Sequence, residues 1–130
     1  MIVDSSAIMA IVLDEPDRDA FVDRLARSSA RRVSAGTWIE LSAVLTRRRD
    51  ADADAAFAVI AKEVALTIEP VTAEQARIGW DAYRTFGRGT GHPADLNFGD
   101  CFAYALAKAT GEPLLFKGDD LAHTDLVAAA

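Results

Sequence analysis

The chain has 130 residues, 51% of them hydrophobic and 26% charged, with a net charge of −6. This length and apolar content predict one domain, residues 1–130, able to bury a real core. The acidic balance argues against a non-specific coat for nucleic acid, which needs many Lys and Arg against phosphates, but it is compatible with a local basic rim.

Taken in order, the chain reads as short strands alternating with longer helices. Met1 to Val3 form a short buried strand. Ser5 or Ser6 then caps a helix carrying Ala7, Ile8, Ile11 and Val12, which Pro16 ends. Asp17 caps a second helix with Phe21, Val22 and Leu25 on one face. Arg32 to Ser34 is a weaker strand signal. A third helix is expected from about Thr37 to Arg49, and an Ala-rich fourth from Ala53 to Lys62. Val64 to Ile68 reads as the next strand, stopped at Glu69-Pro70. Thr72 opens a helix with capping-box spacing that runs to about Phe86. Gly87 to Pro93 is the clearest loop. Asn97 caps a helix ending at Gly111, and Pro113 to Phe116 form the last strand. No repeat, interdomain linker or low-complexity block is seen, unless the Ala-Ala-Ala terminus, Ala128 to Ala130, counts as a frayed end. Strands separated by helices imply a parallel sheet covered on both faces, with functional sites beyond the carboxyl ends of the strands.

The single cysteine, Cys101, excludes an internal disulfide and suits a reducing cytosol. Asp4, Asp14 and Glu15 interrupt the N-terminus and no basic stretch precedes them, so no signal peptide is expected. No apolar run is long enough to cross a bilayer.

Three carboxylates stand at the edges of apolar elements. Asp4 follows Ile2-Val3, Glu40 lies within Trp38 to Leu45, and Asp100 precedes Cys101 to Ala107. Carboxylates so close to a core need hydrogen bonds, partners or a cation. Each taken alone also suits a helix cap: Thr37 to Glu40 and Asn97 to Asp100 have capping-box spacing. Taken together, all three lie at strand-to-helix junctions or first helical turns, which an α/β sheet gathers at one edge. Asp119-Asp120, after the last strand, reaches that edge too. Hard oxygen ligands of this kind suit Mg²⁺ or Mn²⁺ rather than zinc. Through such cations a phosphodiester is polarised and a water made acidic.

The opening Ile2-Val3-Asp4-Ser5-Ser6-Ala7, the segment Trp38-Ile39-Glu40-Leu41, the run Asn97 to Ala107 and the ending Leu114-Leu115-Phe116-Lys117-Gly118-Asp119-Asp120-Leu121 resemble PIN-domain proteins, and within them VapC-type toxins. The resemblance covers almost the whole chain. It implies a three-layer α/β/α sandwich on a central parallel sheet. It also implies a Mg²⁺- or Mn²⁺-dependent endoribonuclease, the toxin of a type II toxin–antitoxin pair. Residue by residue, Asp4, Glu40 and Asp100 match the three core acids and metal ligands, and Ser6 matches the small hydroxyl residue beside the first. Many relatives carry a fourth acid two positions after the last strand. Gly118 stands there in this chain, so Asp119, with Asp120 as alternative, is expected to replace it. The implied partners are an RNA substrate, a cognate antitoxin whose basic side chain enters the acidic pocket, and a second copy in a homodimer. The implied location is the cytoplasm.

Ser6, Arg88 and Lys117 are the substrate-binding expectations, with Arg84 and Lys108 as further candidates for a phosphate-binding rim. Arg47-Arg48-Arg49 reads as a helix C-terminus favoured by its dipole. His92 and His123 lack metal-ligand spacing and read as surface residues, and Cys101 reads as a buried thiol. A receiver domain would need an acceptor Asp where Ile68-Glu69-Pro70 stands. A dehalogenase-type phosphatase would need a second Asp two positions after Asp4, where Ser6 stands. A catalytically weak RNA- or partner-binding regulator on the same fold, or a metal-dependent DNA nuclease, remains an alternative.

Overall fold

A computed structural model of the chain describes residues 1–129. Four strands, β1 (Ile2–Val3), β2 (Arg32–Ser34), β3 (Thr67–Glu69) and β4 (Leu114–Leu115), form one parallel sheet in the order β3-β2-β1-β4. The helices are α1 (Ser5–Val12), α2 (Arg18–Arg27), α3 (Ala35–Arg48), α4 (Ala51–Glu63), α5 (Ala73–Phe86) and α6 (Asp100–Thr110), followed by a 3₁₀ turn at Leu121–His123.

Side chains alternate across a strand, and the two central strands divide the core accordingly. Val3 and Leu115 face a cluster with Ile8, Ile11, Phe21, Leu25, Leu41 and Leu45. Ile2 and Leu114 face a second cluster with Leu96, Ala103, Tyr104, Leu106 and Leu121. The centre of the sheet is therefore buried on both sides, while edge strand β3 is largely exposed, and the result is the expected three-layer α/β/α sandwich.

Several element boundaries differ from the sequence expectation. Asp4, not Ser5 or Ser6, is the cap of α1, its side chain accepting from the Ser6 amide. The helix α3 starts at Ala35 because Ser34 accepts from the Gly36 amide, so Thr37 is an interior residue and not a cap. Asp17 stands at the start of α2 but makes no side-chain cap bond; its carboxylate instead accepts from Lys117 Nζ at 3.0 Å. The third strand starts later than Val64, because α4 continues through Glu63 and Ala65 turns the chain with φ +50°. Thr72 caps α5 as expected, through the Gln75 amide. Near the C-terminus Ala128 bridges to Leu114, and the Ala129 amide donates to the Leu114 carbonyl at 2.9 Å. Ala130 lies outside the described residues.

Candidate active site

The site is assembled at the carboxyl ends of β1, β2 and β4. Asp4 leaves β1 with its amide still donating to Leu115 O at 2.9 Å, so its backbone is fixed by the sheet. Its side chain is buried, at 3% exposure. Oδ2 accepts from the Ser6 amide at 3.0 Å and from Ser6 Oγ at 2.6 Å. Ser6 Oγ in turn accepts from the Lys117 amide at 2.9 Å, which ties the segment after β4 to the first acid. Burial pushes the Asp4 carboxyl above its ordinary range against the bonds from Ser6 and Ser5, and the charge of Asp120 pushes the same way.

Glu40 sits one turn into α3 on the flank that meets α6. Its Oε1 accepts from Ser5 Oγ at 3.2 Å. Its carboxylate occupies the space above Gly99, where a Cβ would overlap it. Partial burial raises its pKa, the Ser5 bond lowers it, the charge of Asp4 raises it and that of Arg47 lowers it.

Asp100 opens α6. The Asn97 amide donates to Asp100 Oδ2 at 3.0 Å while the Asp100 amide donates to Asn97 Oδ1 at 2.9 Å, a reciprocal pair of the capping-box kind. Burial, opposed by the Asn97 bond and reinforced by the charges of Asp4, Asp120 and Glu40, raises the Asp100 pKa to about 6. The cap reading and the site reading thus describe the same residues. Each acid is pinned through one oxygen, Oδ2 of Asp4, Oε1 of Glu40 and Oδ2 of Asp100. The other oxygen accepts no side-chain hydrogen bond among the described residues.

The two acids after Gly118 act differently on the site. It is the charge of Asp120 that bears on both Asp4 and Asp100. Asp120 also makes no side-chain bond to the following 3₁₀ turn, so it is not held as a cap. Gly118, at φ +98°, turns the chain between β4 and these acids.

The expected basic rim is largely engaged elsewhere. Lys117 Nζ bonds to Glu15 and Asp17, which raises its pKa, so Lys117 enters the site through its backbone rather than its ammonium. Lys108 pairs with Asp125 at 2.6 Å, and Arg88 lies 3.8 Å from Asp95. Arg47, read from sequence as a dipole partner, is the cation whose charge reaches Glu40. Its signal was spacing: seven residues after Glu40 on one helix returns to the same face. Ser5 and Gly99 were also missed. Gly99 was legible only as a glycine directly before an acid. His92 Nδ1 accepts from the Ala94 amide and its ring packs edge-on against Phe86 at 4.9 Å. Cys101 is buried, and burial with the charge of Asp100 raises its thiol pKa to about 11, so it is an inert thiol.

The donor set fits a hard divalent cation. It is all oxygen, and its members raise one another's pKa values, a repulsion that a cation relieves. Among the described residues no three acids, His or Cys converge tightly enough to cage one ion. Mg²⁺ does not require such a cage, because it keeps several waters and takes one or two carboxylates together with substrate phosphate. Asp4 and Asp100, with Glu40 beside them, would hold it.

A family model described as the PIN domain matches residues 1–126. Ribonuclease VapC28 of Mycobacterium tuberculosis is 50% identical over 129 residues, covering 99% of this chain and 97% of its own. The crystal structure of M. tuberculosis VapC20, a sarcin-ricin loop cleaving toxin, superposes with a TM-score of 0.73 at 20% identity, covering 97% of this chain and 95% of that one. A chain from a toxin–antitoxin complex of Klebsiella pneumoniae superposes with a TM-score of 0.70 at 13% identity, covering 98% and 94%.

Proposed function

The chain belongs to the PIN domain family as a VapC-type toxin, and we propose that it is a Mg²⁺- or Mn²⁺-dependent endoribonuclease that hydrolyses RNA phosphodiester bonds in the cytoplasm. The observation that carries this reading is the convergence of Asp4, Glu40 and Asp100 at one sheet edge, each pinned by one oxygen and each raised in pKa by the others or by burial.

The residues of the chain divide the labour. Ser6 and the Lys117 amide fix the orientation of Asp4; Asn97 fixes Asp100; Ser5 and the bare Cα of Gly99 fix Glu40. Preorganised oxygens cost no reorganisation when charge develops on the phosphate. A bound divalent cation supplies Lewis acidity and lowers the pKa of a water. Without a cation the same carboxylates repel the RNA backbone, so binding and chemistry depend on the same residues.

The test is cleavage of matched RNA and DNA strands with Mg²⁺ and with EDTA. RNA cleavage that requires Mg²⁺ is expected. Cleavage of DNA alone would make the protein a DNA nuclease, and binding without cleavage a regulator.

The proposed partners follow. VapC-type relatives and the toxin–antitoxin neighbour support a cognate antitoxin, and the acidic pocket suits a basic side chain from it. A homodimer is the inferred assembly. Trp80 and Phe98, exposed beside an apolar groove of about 380 Å³ between α5 and α6, offer a surface for it.

For the fourth acid, Asp120→Asn is expected to raise the Mg²⁺ concentration needed for half-maximal cleavage, whereas Asp119→Asn leaves it nearly unchanged. Titration of Mg²⁺ against cleavage rate decides between them, and the reverse order would return the role to Asp119.

A further inference from the structure

A polyanionic substrate must approach a cluster of four acids, so the site needs positive charge at its margin as well as metal. Of the rim expected from sequence, Lys117, Lys108 and Arg88 each lie against an acidic partner, and Arg84, at the end of α5, is in no ion pair among the described residues. Arg47 has no acidic partner within salt-bridge distance among the described residues, and its side chain is exposed.

Its position follows from how α3 passes α6. Gly36 meets the ring of Phe102, and one turn later Glu40 meets Gly99. The two helices therefore run in opposite senses, and the turns of α3 after Glu40 continue beyond the N-terminus of α6. Arg47 lies about 10 Å further along the α3 axis from Glu40, on the same face. There it stands past the acids, beyond the end of α6. The direct effect of its charge on Glu40 agrees with that placement.

We infer that Arg47 is a substrate-binding residue, its guanidinium holding a backbone phosphate of the RNA strand that flanks the one being cleaved. This rests on the ribonuclease reading above. Arg is suited to the task because its planar fork binds phosphate through two parallel N–H donors and stays charged. The helix-dipole reading explains Arg47 and Arg48 equally; the substrate reading separates them.

The experiment measures binding of a fluorescein-labelled single-stranded RNA oligonucleotide in Mg²⁺, using Asp100→Asn as the parent so that the probe survives. Salt is varied between roughly 50 and 200 mM. Loss of one phosphate contact to a single strand is expected to make the slope of log K against log salt shallower by about 0.7 in Arg47→Ala. Arg47→Lys should keep the slope, and so should Arg48→Ala. In the otherwise wild-type enzyme, Arg47→Ala should raise KM several-fold with kcat little changed. An unchanged slope in Arg47→Ala, or an equal change in Arg48→Ala, overturns the assignment while leaving the ribonuclease reading intact if the wild type still cleaves RNA. A parent that does not bind the probe at any salt, with a wild type that does not cleave it, overturns both.

Discussion

Asp100→Asn is expected to lower RNA cleavage at least about 100-fold while making the metal-free protein more stable at neutral pH, with Asp4→Asn and Glu40→Gln also inactivating. The amide keeps the shape and can still accept the Asn97 N–H bond, but it no longer carries the charge that attracts a cation, and the transition-state stabilisation lost with a metal ligand amounts to several kcal/mol. The stability arm has a definite sign. The Asp100 carboxyl has its pKa raised from 3.8 to about 6 in the folded chain, by burial first and by the charges of Asp4, Asp120 and Glu40 after it. The folded state therefore holds this proton more tightly than the unfolded state. Its contribution is most favourable below about pH 4, declines as pH rises through about 6, and is lowest above that. Replacing Asp100 by Asn removes the decline. Thermal unfolding in EDTA should show the variant above the wild type at pH 7.5 and the two converging near pH 4. Full activity in all three amide variants would sink the metal-site assignment; no stability gain at pH 7.5 would show that the carboxylates are not crowded.

The second large effect is expected at a residue with no side chain. Gly99 has φ −64° and ψ −37°, a helical conformation that Ala adopts freely, so backbone freedom is not the reason for glycine here. The reason is the Glu40 carboxylate, which occupies the place of a Cβ. That obstacle is the far end of a flexible side chain, so Gly99→Ala should fold normally and displace Glu40 instead. Misplacing a reacting group by about 1 Å can cost about 100-fold, and a loss of roughly 10- to 100-fold in cleavage is expected. The diagnostic is a double-mutant cycle. If Gly99 acts only through Glu40, Gly99→Ala adds almost nothing in a Glu40→Gln background. Full additivity, or a large drop in the unfolding temperature of Gly99→Ala, would refute that explanation.

Both experiments concern contacts that no local pattern contains. Periodicity placed the helices because burial of one face at 3.6-residue spacing is written along the chain. Boundaries moved where side chains chose between caps: Ser34 took α3 from Thr37, and Asp4 took α1 from the two serines, because the strand ends fix those backbones in the extended conformation a cap requires.

The acids Asp4, Glu40 and Asp100 were legible because each is a charge beside an apolar run, and the alternation of strands and helices already implied a shared edge. Charge at the margin of the site was not legible in the same way. Lys117 follows β4 directly and invited a binding role, yet Glu15 and Asp17, remote in sequence, claim its ammonium. Arg47 looked like a helix end; its spacing from Glu40 puts both on one face of α3, and the packing of α3 against α6 shows that this face carries the site. Asp119 and Asp120 are neighbours in sequence, and only the folded chain distinguishes them, the charge of Asp120 bearing on Asp4 and Asp100. By itself the sequence determined which elements form and which carboxylates need a partner, since both follow from hydrophobic spacing and the cost of burying charge. Tertiary structure alone decided which cations remain free and which glycine makes room for an acid, because those outcomes depend on side chains brought together from distant parts of the chain.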